Sequence, residues 1–146
     1  MSVPRFTTHL CTWADAEEPL RAIRTQVFIQ EQNVPQALEW DGEDTQAVHA
    51  LACDANGQAI GTARLLWQGA AAHLGRMAVV PAWRGQGVGS ALLTLMIATA
   101  QARSVHQLSL NAQTSAVAFY KRAGFVTLGM EFQEAGIPHQ RMTRFI

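Results

Sequence analysis

The stretch RGQGVGSALL, residues 84–93, constrains the fold of this chain more than any other. Pro81 stops the apolar run AHLGRMAVV (72–80), and from Gly87 to Arg103 the residues Val88, Leu92, Leu95 and Thr99 recur at helical spacing. Three glycines and an arginine therefore stand between a strand and a helix. A turn of this kind gathers backbone N–H groups with no partner inside the helix at the positive end of its dipole, which makes it a place for an anion. A dinucleotide pattern G-x-G-x-x-G begun at Gly85 would need glycine where the chain has Ser90, and a Walker loop would need a lysine that Gly89-Ser90-Ala91 lacks. Spacing excludes both.

What remains is Arg84-x-x-Gly87-x-Gly89 after a strand ending in Met77-Ala78-Val79-Val80-Pro81. This resembles the acyl-CoA-binding motif of the GNAT superfamily of N-acyltransferases. The resemblance implies that Arg84, Gly85, Gln86, Gly87, Val88, Gly89 and Ser90 hold a pyrophosphate. It also implies that the pantetheine arm runs along Met77 to Val80, pairing with main-chain groups near Ala78 and Val80. A second stretch, SLNAQTSAVAFYKRAGF (109–125), fits the same family at Asn111, Tyr120, Gly124 and Phe125. Asn111 and Phe119 are then expected beside the cofactor, and Tyr120 near the thioester sulfur. A phenol stays protonated at neutral pH and can donate to a departing thiolate.

Transfer to an amine also requires removal of an ammonium proton. Glu31 lies eleven residues after Leu20, which at about 100° per residue returns it to the apolar face beside Val27. A carboxylate there either meets a partner, such as Arg76, or borders a cavity. VFIQEQNVPQALEWDGEDTQAVHALA (27–52) and EFQEAGIPHQRM (131–142) are similar to the ElaA/YjcF-type branch of the family. That likeness places Trp40, Asp41, Glu134 and His139 around the acceptor pocket, with Glu31 or Glu134 as the base. His73, on the strand before the loop, reads as a satisfied strand residue.

At 146 residues, half of them apolar, the chain is expected to form one domain over 1–146. Eleven basic and eleven acidic side chains cancel, giving no general attraction to nucleic acid or to an anionic membrane. No run is long and apolar enough to span a bilayer, and the first residues lack a signal-like apolar core, so a cytoplasmic location is expected. Cys11 and Cys53 form no paired motif and the histidines have no ligand spacing, so neither disulfide nor metal is expected.

The expected fold is α/β with the GNAT topology, a mixed, mostly antiparallel sheet flanked by helices. Strands are expected over 5–13, 48–54, 59–67, 72–80, 107–111, 125–132 and 139–146, and helices over 15–32, 87–103 and about 114–122. The sheet should part between the strands at 72–80 and 107–111. The implied function is transfer of an acetyl group from acetyl-CoA to a primary amine, of a small molecule or a protein, by direct attack in a ternary complex. The alternatives are an acyl-CoA-binding sensor without turnover, or an α/β protein binding another phosphorylated ligand. A homodimer follows only from family analogy.

Overall fold

The computed structural model describes residues 5–146, and these form an eight-stranded sheet in the order β1-β2-β3-β4-β5-β8-β6, with β7 paired to β8. The strands are β1 (Phe6–Cys11), β2 (Val48–Asp54), β3 (Ala59–Gln68), β4 (Ala71–Val79), β5 (Gln107–Gln113), β6 (Val126–Thr127), β7 (Phe132–Glu134) and β8 (Ile137–Phe145). The helices are α1 (Trp13–Arg24), the one-turn α2 (Gln36–Glu39), α3 (Val88–Ala102) and α4 (Val117–Arg122). All pairings are antiparallel except β4 with β5.

The first turn of α1 is fixed by Thr12, whose hydroxyl accepts from the Asp15 amide at 3.2 Å, which is why the expected strand over 5–13 ends at Cys11. Leu20 and Ile23 bury the apolar stripe of α1 against Leu51 and Ala78, on one face of the sheet. On the other face α3 packs Val88, Leu92 and Met96 against Ile60, Ala63 and Leu74. Gly61 permits this approach: a Cβ there would lie 2.9 Å from Val88 Cγ1 and 3.1 Å from Leu92 Cδ1.

Two boundaries differ from expectation. The helix read over 15–32 is α only to Arg24; Thr25–Glu31 is a π-helix, closed by an amide of Gln32 bonded to Val27 O at 3.1 Å. The strand read over 125–132 breaks into β6 and β7, because Gly129 turns with φ +76° and the chain leaves the sheet between them. β7 and β8 form a terminal hairpin, closed by Ala135 and Gly136 at φ +53° and +74°.

Candidate active site

Strands β4 and β5 are hydrogen-bonded only from Ala71↔Gln107 to Leu74↔Leu110 and then part. Two irregularities keep the gap open. Gly75 pairs with Arg64 and Ala78 with Thr62, so Arg76 and Met77 together face Ala63 alone, a bulge in β4. Arg76 takes φ +51° there, a left-handed backbone that costs a non-glycine residue about 1–2 kcal/mol.

The Arg76 side chain holds that geometry. One nitrogen donates to Leu38 O at 3.1 Å, Glu39 O at 3.0 Å and Asp41 Oδ2 at 3.2 Å, while Nε forms an ion pair with Glu39 Oε2 at 3.0 Å.

The gap opens into a cavity of about 850 Å³. One end of it is bordered by the glycine loop, at Arg84, Gly85 and Gly89. Gly87 precedes α3 with φ +88°, the first helical bond runs from Ala91 N to Gly87 O at 3.0 Å, and no side chain among the described residues caps the helix. The amides of Val88, Gly89 and Ser90 are thus left without helical partners, and the first turn carries no acid. Among the described residues, a Cβ on Gly85 or Gly87 would meet nothing within 4 Å. These residues fit a pyrophosphate.

Of the other residues expected at the cofactor, Met77, Val79, Arg84, Asn111 and Phe119 line the cavity, whereas the Val88 side chain is in the core. The Gln86 side chain bonds Ala82 O and Arg5.

One expectation about the arm is corrected. The amide of Val80 bonds Ile60 O at 3.0 Å and so points to β3, and by strand alternation Ala78 points the same way. It is Val79 whose polar groups face the gap; its carbonyl accepts from Arg84 Nε at 2.9 Å.

Tyr120 is buried in the cavity wall, its ring edge-on to Phe119 at 5.0 Å and to Phe125 at 5.9 Å. Burial pushes its hydroxyl up to about 12, so the phenol remains protonated at any physiological pH.

Of the residues expected around the acceptor pocket, Asp41, Glu134 and His139 line the cavity. Asp41 lines the cavity, but Arg64 grips both its oxygens at 2.8 and 2.9 Å and Arg76 adds a contact. Burial raises the Asp41 carboxyl, yet the Arg64 hydrogen bonds, the Glu43 amide and the two guanidinium charges outweigh it and bring it to about 2. Asp41 belongs to a larger cluster in which Arg24, 1% exposed, bonds Glu39 at 2.7 Å and Asp44 at 2.6 Å.

Glu134 Oε1 lies 3.4 Å from Asn111 Nδ2 and its Oε2 3.4 Å from His139 Nε2. His139 is buried, stacked on Phe132 and bonded through Nδ1 to Ile137 O at 2.7 Å.

Two expected residues lie elsewhere. Trp40 packs beside Trp13, and the Arg24 guanidinium sits over both rings, 5.0 Å and 5.5 Å from their centroids, so Trp40 braces α1 instead of the acceptor mouth. Glu31 is turned off the apolar face because the wider π turn shifts the helical register. Its carboxylate grips Arg84 at 2.6 and 2.7 Å, not Arg76, and that hydrogen bonding holds it below the ordinary carboxylate range. The sequence reading missed Arg24 and Arg64, whose burial leaves no periodic trace, and it set aside His73, which lines the cavity.

A split sheet with a glycine loop at one end of the gap and a buried tyrosine within it defines an acyl-CoA-type N-acyltransferase fold. The model of the GNAT acetyltransferase domain matches residues 14–145, and the chain belongs to that family. Its relatives place it in the ElaA/YjcF-like branch. The Bacillus subtilis protein YyaT is 36% identical over all of this chain and 97% of its own. The uncharacterized N-acetyltransferase YjcF of the same organism is 34% identical over 84% of this chain and 87% of its own.

Among solved structures, an acyl-CoA N-acyltransferase from Pseudomonas aeruginosa superposes with a TM-score of 0.85 at 31% identity, covering 95% of this chain and 99% of that one. Escherichia coli ElaA superposes with a TM-score of 0.86 at 27% identity, over the same shares. No helix among the described residues is long and apolar enough to cross a membrane.

Proposed function

We propose that the chain transfers an acetyl group from acetyl-CoA to a small primary amine by direct attack within a ternary complex. The observation that carries this reading is that Arg84, Gly85 and Gly89 of the loop border one continuous cavity with Tyr120 and Glu134, so donor and acceptor can meet in it. Bound acetyl-CoA supplies the thioester. The amides of Val88, Gly89 and Ser90 hold its phosphates, assisted by Arg84, and the gap beside Val79 receives its arm. Backbone amides near Val79 polarise the carbonyl oxygen. Tyr120 donates its proton toward the sulfur as the C–S bond breaks.

The acceptor class follows from charge. Of the carboxylates that line the cavity, Glu39 and Asp41 are held by arginines, whereas Glu134 has, among the described residues, only an amide and an imidazole beside it. A single unneutralised carboxylate suits one ammonium group. Direct attack agrees with the thiols: Cys11 and Cys53 lie outside the cavity, and burial pushes the Cys11 thiol up to about 11, a poor nucleophile.

The test is release of free CoA from acetyl-CoA by the purified protein across a panel of primary amines, with intact mass recorded in the absence of amine. Amine-dependent CoA release and an unmodified protein mass support the reading. An acetylated protein as an obligatory first product contradicts the ternary complex, and CoA binding without release by any amine contradicts catalysis.

A further inference from the structure

His73 occupies one of the last rungs that β4 and β5 share, opposite Ser109, just before the strands part. It lines the same cavity as Tyr120, Glu134 and His139. Ser109 is buried, and its Oγ lies 3.0 Å from His73 Nδ1, which anchors one edge of the ring to the sheet. Nε2 has no hydrogen bond among the described residues and is not sealed from solvent.

The groups around the ring come from each neighbouring strand: Arg64 on β3, Arg76 on β4, Asn111 on β5, Glu134 on β7, and His139 and Arg141 on β8. Burial, then the charges of Arg141 and Arg64, hold the imidazole below its ordinary range; Glu134 opposes them and Arg76 adds to them. A ring so placed is neutral near pH 7 and able to accept a proton. Of the two carboxylates named for this task, Glu31 is committed to Arg84, and Glu134 is the one left to hold the acceptor ammonium by its charge.

Resting on the acyltransferase reading above, we propose that His73 is a catalytic residue that takes the proton from the acceptor ammonium, with Ser109 as its positioning partner. The Nδ1–H donates to Ser109 Oγ, and the lone pair on Nε2 accepts one proton, so R–NH3+ becomes R–NH2 and the imidazole becomes imidazolium. The freed nitrogen pair forms the C–N bond while the C–S bond breaks. The second amine proton replaces the one that Tyr120 gives to sulfur, and His73 returns its own to solvent. The balance is one amide, one thiol and one released proton. Sequence reading made His73 a satisfied strand residue; that holds for Nδ1 alone, because the parting of the strands next to it is a tertiary feature.

Two measurements decide the matter. The first follows the imidazole nitrogens of ligand-free protein by NMR against pH. A His73 ring that is neutral at pH 7, carries its proton on Nδ1 and titrates below the usual histidine range supports the proposal, and Ser109→Ala should disturb both tautomer and titration. A ring protonated at pH 7 overturns it whether or not an acceptor is known.

The second records kcat/KM against pH for the wild type and for His73→Gln, with an amine the wild type turns over. The variant is expected to be at least tenfold slower, to lose the acid limb, to recover partly with added imidazole and to keep its KM for acetyl-CoA. An unchanged rate and profile would overturn the role of His73 and leave the acyltransferase reading standing. No CoA release by the wild type with any amine would overturn both.

Discussion

Arg84 and Glu31 meet fork to fork, two nitrogens on two oxygens at 2.7 and 2.6 Å, although 53 residues separate them in the chain. The pair joins the end of the π-helix to the loop that precedes α3, and the same arginine also donates to Val79 O in the gap. One residue further on, Gln32 accepts from Gln113 Nε2 at 2.8 Å, so the π-helix end spans the parted strands from β4 to β5. Glu31 neutralises the guanidinium that is proposed to assist the phosphates. An exposed pair of this kind is worth about 0.2–1 kcal/mol, so Glu31→Gln should tighten CoA binding by up to about fivefold. Turnover at saturation should be unchanged. Calorimetric titration of CoA into the two proteins checks this; weaker binding in the variant would show that Glu31 orients Arg84 instead of restraining it.

Tyr120→Phe keeps the ring packed between Phe119 and Phe125 and removes only the donor. Turnover should fall at least about tenfold, roughly 1.4 kcal/mol of barrier, with acetyl-CoA affinity and melting temperature nearly unchanged. Steady-state rates together with a binding isotherm read both halves. An equal turnover would remove Tyr120 from the mechanism.

Gly87 has φ +88° and open space where a Cβ would stand. Gly87→Glu should therefore fold, at a conformational cost of about 1–2 kcal/mol, and lose CoA binding because a carboxylate enters the anion site. A folded variant, seen by circular dichroism, that still binds CoA would mean that the phosphates lie elsewhere.

The buried arginine cluster sets the response to acid. The Asp41 carboxyl is depressed from 3.8 to about 2, so its stabilisation is whole above about pH 4 and is lost as the pH falls through 2. Burial likewise depresses His49, whose contribution is present above the ordinary histidine range and is lost as the pH falls below it. Urea unfolding should show stability declining in both windows, and Asp41→Asn should flatten the lower one.

Arg24→Met leaves Glu39 and Asp44 without their shared cation. A loss of about 3–5 kcal/mol is expected in the same measurement. A smaller loss would mean that Arg64 and Arg76 take over both carboxylates.

Much of this architecture is legible in the residues. The glycine loop, the stop at Pro81 and the register of Tyr120 and Gly124 are local signals, and the fold and the loop's place at the cavity follow from them. The acceptor end is less legible because its residues act through partners distant in sequence. Glu31 was placed by an α-helical angle that the π turn over Thr25–Glu31 alters. Trp40 was assigned to the mouth by likeness, while the guanidinium that holds it comes from α1. Asp41 gives no sign in sequence that Arg64 and Arg76 will occupy it, and His73 gives none that the sheet will open beside it.

The loop before α3 and the parted strands are proposed to receive acyl-CoA. The most direct measurement is a thermal-shift titration of the purified protein with acetyl-CoA, free CoA, ATP and NADH side by side. A ligand at a hundredfold excess over its dissociation constant adds about 2.7 kcal/mol to stability, several degrees in a chain of this size. Stabilisation by acetyl-CoA and CoA alone is the predicted result; stabilisation by ATP or NADH instead, or by none of the four, would contradict it.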